Sequence, residues 1–157
     1  MTEEYERYKA AQAARWLEHV AQLGTRCATL QAAIEQERAN AEGVRAVCFD
    51  GVPRAQSTGD ALPNAVIRIQ DAIRDFMTEL AGYVEAQTDA HKRITRMQDA
   101  ACSGCLERHY VLGHPWERVC VDMGYSWQGM MSLRRRALAM AYEVMPTEWR
   151  DPMERAI

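Results

Sequence analysis

The chain has 157 residues, of which 48% are hydrophobic and 26% are charged, and its formal net charge is −3 at pH 7. This length suits one domain or two small ones, and the apolar fraction is large enough to form a buried core. Nine Gly and five Pro residues are too few for a collagen-like or low-complexity chain. The acidic balance excludes a protein that coats nucleic acid through a high overall positive charge, so any contact with DNA has to come from a local basic patch.

The sequence predicts a protein that stays in the cytoplasm. It contains no run of about 18 apolar residues, so no helix is expected to span a membrane. The first sixteen residues are rich in charge and lack the apolar segment of a signal peptide. The five cysteines are an odd number without a regular spacing, which is typical of reduced thiols in a cytosol.

Residues 2–44 are predicted to form one long helix, because Ala, Glu, Gln and Arg dominate the segment and Pro is absent from it. Apolar residues recur in it at alternating spacings of four and three. This pattern is typical of a helix that packs lengthwise on another helix. The positions that carry it are Trp16, Val20, Leu23, Cys27, Leu30 and Ile34.

Residues 46–60 are predicted to be a loop, because an Asp-Gly pair, a Pro and another Gly follow one another there among Ser and Thr residues. A second long helix is predicted over residues 61–97, with Asp60 as its N-cap and Pro63 in its first turn. The alternation of four and three continues along it, at Val66, Ile69, Ile73, Phe76, Leu80, Tyr83, Gln87, Ala90, Ile94 and Met97.

Two helices with matching apolar stripes and a single connection form an antiparallel hairpin, so residues 1–97 are predicted to be a helical hairpin domain. The stripes are interpreted as core and not as a cofactor site, since apolar stripes of this period are normally buried against a neighbouring helix. A hairpin alone leaves apolar surface exposed. Either the C-terminal helices or a second copy would cover it, and a homodimer through the hairpin is expected.

Residues 98–146 are predicted to form three shorter helices. The first, over about residues 98–112, ends at a Gly-His-Pro sequence. The second, residues 116–123, is followed by a Gly-Tyr turn, and Ser126 is the predicted N-cap of the third, which Pro146 ends. A short helix, a Gly-containing turn and a longer helix form a helix-turn-helix motif. The third helix is predicted to face inward through Met130, Leu133, Ala137, Leu138 and Ala141.

The last of these three helices is the second helix of the helix-turn-helix motif. It is the predicted DNA-reading helix, because the second helix of such a motif places its N-terminal residues at base edges in the major groove. Gln can pair with adenine, and Arg with guanine or phosphate. No acidic residue occurs from Ser126 to Tyr142, so the helix is locally basic. One of its three consecutive Arg residues is expected to pack, or to pair with an acid such as Glu117 or Asp122. The predicted DNA-binding residues are Ser126, Trp127, Gln128, Met131, Ser132, Arg134, Arg135 and Arg136.

A pattern of spaced residues runs from residue 106 to residue 138: Leu106, His109-Tyr110, Trp116, Tyr125-Ser126 and Ala137-Leu138. This pattern resembles that of the RinA/ArpU-type late-gene transcriptional regulators of phages, whose helix-turn-helix is similar to region 4 of sigma factors. In these proteins an Arg usually stands where this chain has His109. Upstream, an N-terminal helix, a Ser- and Gly-containing loop and a long helix are also similar.

The resemblance implies an all-α chain with a long antiparallel hairpin and a C-terminal, sigma region 4-like helix-turn-helix. It implies a sequence-specific regulator of phage or prophage origin, acting in a bacterial cytoplasm as a late-gene activator. Its partners would be double-stranded DNA and RNA polymerase. It further implies that Ser126 caps the reading helix, that DNA is read from Trp127 through Arg136, and that a set of mostly buried residues includes Tyr110, Trp116, Tyr125 and Leu138.

Two other functions stay open at the level of sequence. The hairpin could be the working part of an oligomeric packaging or adaptor protein similar to a small terminase subunit. Alternatively, the chain could be an anti-activator that binds a protein partner and no DNA. The tail, residues 147–157, is expected either to form a short helix that packs back or to be a frayed end.

The sequence predicts no enzyme, no cofactor and no metal. Motifs for phosphate binding, zinc proteases or serine hydrolases are absent, and the carboxylates are spread without a catalytic grouping. A single CxxC sequence is more often a pair of small helical thiols than half of a zinc site. The zinc alternative would use Cys102, Cys105, His109 and Cys120.

Overall fold

The computed structural model describes residues 2–49 and 61–151, and all regular structure within them is helical. The predicted all-α class is therefore confirmed. No helix in the described ranges is both long enough and apolar enough to cross a membrane. The five α-helices are α1 (Glu3–Phe49), α2 (Ala61–Ile94), α3 (Ala100–Leu106), α4 (Trp116–Met123) and α5 (Trp127–Val144). A π-helical turn, Glu107–Val111, extends α3, and a 3-10 turn, Thr147–Trp149, follows α5.

The chain divides into two compact units. The hairpin unit is Leu23–Tyr83, and the terminal unit combines Met1–Gln22 with Val84–Ile157. This division does not coincide with the predicted boundary at residue 97. The reason is that the first part of α1 and the last part of α2 contribute buried residues to the same core as α3, α4 and α5.

Within the hairpin unit the two helices run antiparallel. Arg26 lies 3.0 Å from Glu79, and Glu37 lies 3.3 Å from Arg68. Moving forward along α1 from the first ion pair to the second therefore means moving backward along α2. Gly24 allows close approach, because a Cβ atom there would lie 3.1 Å from the ring of Tyr83.

The predicted apolar stripe of α1 is confirmed, since all six of its positions are buried or half-buried. The stripe of α2 was placed one residue too late at its start. Ala65 is 1% exposed, whereas Val66 is 44% exposed. Successive residues of a helix are turned by about 100°, so only one of these two neighbours can face α1, and the small alanine takes the contact position.

The ends of the two long helices differ from the predicted ones. Residues 46–49, predicted to begin the loop, belong to α1, which continues up to the Asp-Gly pair that starts at residue 50. Residues 50–60, including the predicted cap Asp60, lie outside the described ranges. At the other end α2 stops at Ile94, and Met97, which is 8% exposed, is held beyond it by a turn in which its backbone N–H donates to the Ile94 carbonyl.

Local capping determines where the short helices of the terminal unit begin and end. The Asp99 carboxylate accepts a hydrogen bond of 3.0 Å from the backbone N–H of Cys102 and starts α3. Gly124 ends α4 with a φ of 71°, a left-handed conformation that favours glycine. Ser126 caps α5 as predicted, since its Oγ accepts from the backbone N–H of Gly129 at 3.1 Å.

α4, the three-residue link 124–126 and α5 have helix-turn-helix organisation. All five residues of α5 predicted to face inward are buried. Tyr110 and Leu138 are buried, at 3% and 5% exposure, and Trp116 is half-buried. The expected burial of Tyr125 was wrong, because this residue is 37% exposed. It lies in the link between the two helices, where protein covers only part of the ring.

The described part of the tail packs back on the terminal unit, as one of the two predicted alternatives has it. The ring of Trp149 lies 4.9 Å from the ring of His19. Arg150 donates to the Tyr142 carbonyl at 3.0 Å, and the backbone N–H of Asp151 donates to the buried side chain of Gln12 at 2.7 Å. These contacts hold the chain after α5 against both α5 and α1.

Candidate nucleic-acid interface

The predicted DNA-binding residues all belong to α5 or to its cap, but they differ in accessibility. Trp127 is 53% exposed, and the other exposed residues are Ser126, Gln128, Ser132, Arg135 and Arg136. Met131 and Arg134 are half-buried and therefore less accessible than the other six residues. The first three turns of α5 therefore form an accessible surface of uneven composition.

Gln128, Ser132 and Arg135 form a row along this surface, because they are separated by four and then three residues of the same helix. The row presents an amide, a hydroxyl and a guanidinium. Within the described ranges no carboxylate lies at ion-pair distance from Arg135. These three side chains can donate hydrogen bonds to base edges or to phosphate oxygens. We call them the donor row.

Arg134 has a packing role. Its guanidinium carbon lies 5.4 Å from the centroid of the Trp116 ring, in the geometry of a cation–π contact. The Trp116 ring has two further partners. The His109 ring stacks on it at 4.1 Å with an interplanar angle of 21°, and the Tyr110 ring meets it edge-on at 6.0 Å. Arg134 thereby joins α5 to the start of α4 and to the π-helical turn.

Arg136 is tied to α3. Its Nη2 lies 3.4 Å from Asp99 Oδ2, and its Nε donates to Cys102 Sγ at 3.5 Å. The pKa of Asp99 is lowered, mainly by the hydrogen bond from the backbone N–H of Cys102 and further by the charge of Arg136. The carboxylate is therefore ionised and serves both as helix cap and as partner of Arg136.

One of the three arginines does pair with an acid, but the expected acids were wrong. Asp122 lies 3.7 Å from Arg108 and 3.6 Å from Arg118. The partner of Arg136 is Asp99, which stands 37 residues earlier in the chain. Asp99 could have been recognised as an N-cap from its position before a helical segment, but no sequence pattern indicates its pairing with Arg136.

The first turns of α1 form a groove with α5, with a cavity of about 430 Å³. Lys9 is 7% exposed, and its Nζ lies 2.8 Å from Glu143 Oε1. This hydrogen bond raises the pKa of Lys9, so the amine is charged. Glu6 lines the same groove as Arg135. Acidic charge from α1 therefore borders the donor row, and the groove is lined by Glu6, Lys9, Ser132, Arg135, Arg136, Ala139, Met140 and Glu143.

The thiols of the CxxC sequence are buried and protonated. Burial raises the pKa of Cys105 to about 12, and burial also raises the pKa of Cys102. The Cys105 thiol donates to the Cys102 carbonyl at 3.2 Å, and His109 Nδ1 lies 2.7 Å from the His114 carbonyl oxygen. No three His, Cys, Asp or Glu side chains in the described ranges are grouped so that they could hold a metal ion.

His109 should make the stability of the terminal unit depend on pH. Burial lowers its pKa below the usual value, so the unfolded chain binds a proton more readily than the folded one. The contribution of neutral His109 to the free energy of unfolding is therefore fully present above the unfolded pKa of about 6.5 and is lost as the pH falls below it. We expect the free energy of unfolding, measured with urea, to fall less between about pH 7.5 and about pH 5.5 for His109→Gln than for the wild type. Equal losses in both proteins would exclude His109 as the cause.

Comparison of the chain with protein-family models, with curated proteins and with solved structures finds no match. The features of the chain that bear on function are therefore the geometry of α4 and α5 and the sequence pattern of residues 106–138. These two segments overlap within the terminal unit.

Proposed function

We propose that this protein is a sequence-specific, double-stranded DNA-binding regulator of phage or prophage origin that activates late-gene transcription in the cytoplasm of a bacterial host. The observation that carries the proposal is the exposed donor row on the helix that follows the Gly-containing link. In helix-turn-helix proteins this helix lies in the major groove. The resemblance to RinA/ArpU-type regulators supports the same assignment.

The arginines of α5 take different parts in this proposal. Arg135 contacts a guanine edge or a phosphate, and Gln128 is suited to an adenine. Arg134 and Arg136 hold α5 in place through Trp116 and Asp99, at 5.4 Å and 3.4 Å. The reading surface is therefore narrower than the eight residues expected from the sequence.

The proposed activator has two further partners. RNA polymerase is the expected protein partner of a late-gene activator, as the resemblance implies. A homodimer formed through the hairpin unit would provide two reading helices for an operator with two related half-sites. The net charge of the chain is −3, so the overall charge does not attract DNA. Affinity for DNA would depend on a small number of phosphate contacts made by the basic residues of α5.

The experiment that tests the proposal is selection of bound sequences from a random double-stranded DNA pool at about 150 mM salt. A recovered motif that disappears with a Gln128→Ala, Arg135→Ala double variant is the expected result. Recovery of the same motif by that variant would exclude the donor row as the reader. No enrichment, with weak binding only, would overturn sequence-specific recognition.

The second candidate function is an assembly role, in packaging or as an adaptor. It is favoured by the apolar side chains Ile67 and Met77 of the hairpin unit, which are 54% and 60% exposed. Oligomeric state separates the two functions. A ring of many copies in light scattering, together with no enrichment in the DNA selection, would favour assembly over regulation.

Glu6 should weaken DNA binding, because its carboxylate borders the groove that also contains Arg135. Glu6→Gln is expected to tighten binding to the selected DNA by about two- to threefold at low salt, with a smaller effect at high salt, where charges are screened. Fluorescence anisotropy titrations measure this directly. Glu35→Gln, at an exposed position of α1 in the hairpin unit, makes the same charge change and is expected to have no effect.

A further inference from the structure

The link between α2 and α3, residues 95–99, lies alongside α5. Just before the link, Arg93 Nη1 donates to the Val144 carbonyl at 3.0 Å, and at its end Asp99 Oδ2 lies 3.4 Å from Arg136 Nη2. These two contact points on α5 are about two helical turns apart. The residues between them therefore pass beside the second half of α5 and end next to the last member of the donor row.

The backbone of the α2–α3 link is held by packing and by hydrogen bonds. Ile94, just before the link, is 0% exposed, and Met97 within it is 8% exposed. The backbone N–H groups of Arg96 and Met97 donate to carbonyls of the last turn of α2 at 3.1 Å and 3.0 Å. Arg96 therefore projects from an ordered backbone, so that binding through this side chain requires little ordering of the main chain.

The α2–α3 link carries unpaired positive charge. Arg96 is exposed, and in the described part of the chain no carboxylate lies at ion-pair distance from it. Residues 90–98 contain Lys92, Arg93 and Arg96 but no carboxylate, and Arg93 pairs with Asp89 at 2.8 Å. In a chain with a net charge of −3, this segment is a local basic patch of the kind that contact with DNA requires.

A side chain beside a helix in the major groove meets phosphates. The groove is about 12 Å wide and a helix with its side chains is about 10–12 Å across, so the helix fills the groove and the backbones of the two strands border it. Arg96 stands three residues before Asp99, the partner of Arg136, and three residues of chain span at most about 11 Å. Its guanidinium is therefore within reach of a phosphate that borders α5.

We propose that the α2–α3 link binds the DNA phosphate backbone through Arg96, beside the major groove that α5 enters. The exposed amide of Gln98 can donate to an oxygen of the same strand. Glu6 of α1 places acidic charge next to the donor row, so the link, and not α1, supplies the flanking contact. The inference rests on the DNA-binding part of the proposed function and adds a contact that orients the protein without reading sequence.

Arg96→Ala is expected to weaken binding to the selected DNA by about three- to tenfold near 150 mM salt and to lower the slope of log affinity against log salt by about one. Binding to a random duplex should weaken by the same factor, because a phosphate contact is independent of sequence. The recovered motif and the urea midpoint should equal those of the wild type. Arg38→Ala, at an exposed position of α1 in the hairpin unit, is the matched control and should change neither affinity nor slope.

Neutral phosphate analogues locate the contact. Among duplexes that each carry one methylphosphonate, we expect one position beside the motif that weakens the wild type but leaves Arg96→Ala unaffected. If every substitution weakens both proteins by the same factor, or if Arg96→Ala keeps the wild-type affinity and slope, the proposal is overturned.

The proposed function fails in a different way. A selection without a motif, combined with a lower salt slope for Arg96→Ala on the random duplex, would exclude sequence-specific regulation and support the backbone contact. A recovered motif, with Arg96→Ala indistinguishable from Arg38→Ala, would support the regulator and exclude the contact. A wild type that binds no duplex at low salt would overturn both.

Discussion

Replacing Arg135 by Ala is expected to weaken binding to the selected DNA by about 10- to 100-fold near 150 mM salt, the loss of one good base or phosphate contact. Arg135 is the guanidinium of α5 that is exposed and unpaired within the described ranges. If it contacts a phosphate, the slope of log affinity against log salt should also fall by about one. Anisotropy titrations at several salt concentrations measure both quantities.

Arg38→Ala is the matched control for this variant. Arg38 is exposed on α1 in the hairpin unit, and its removal changes the net charge by the same amount. Its affinity and salt slope should equal those of the wild type. If Arg135→Ala behaves like this control, α5 does not read DNA through its donor row, and the proposed site is wrong.

Replacing Trp116 by Ala is expected to lower the free energy of unfolding of the terminal unit by about 2–3 kcal/mol. The half-buried indole stacks on His109 at 4.1 Å and lies under the guanidinium of Arg134 at 5.4 Å. Its loss therefore removes packing between α4, the π-helical turn and α5 together. Urea unfolding, combined with hydrogen exchange of the α4 and α5 amides, would locate the effect in this unit.

Val121→Ala provides the control on the same helix. Val121 is 81% exposed, so its truncation is expected to change stability by less than about 0.5 kcal/mol. If Trp116→Ala and Val121→Ala are equally mild, the aromatic stack does not hold α4 against α5. The angle of the reading helix would then depend on Met130 and Leu133, which are buried at 0% and 3% exposure.

The three consecutive arginines of α5 show why a charge run cannot be assigned as a whole. Neighbouring residues on a helix are turned by about 100° from one another, so they meet different surroundings. Arg134 meets an aromatic ring, Arg136 meets the cap of α3, and Arg135 meets solvent. Of the three, Arg135 has a side chain exposed and unengaged in packing or pairing, as a DNA-contacting residue requires.

Features set by neighbours in the sequence could be predicted for this protein. Ser126 caps α5, Gly124 ends α4, and Pro146 follows the end of α5 as expected. Each depends on backbone geometry within one turn, where the type of side chain decides the outcome. The apolar stripe of α1 and the inward face of α5 were predictable for the same reason, because the helical period determines which residues share a face.

Only the tertiary structure decided which residues meet across the chain. The pairing of Arg136 with Asp99 joins residues 37 positions apart, and Ala65, not the predicted Val66, takes the buried position of α2. The division into a hairpin unit and a terminal unit likewise arises from long-range packing of both chain ends around α3, α4 and α5. Helical periodicity states which face of an element is apolar, but it does not state which other element covers that face, because that choice depends on packing between distant segments.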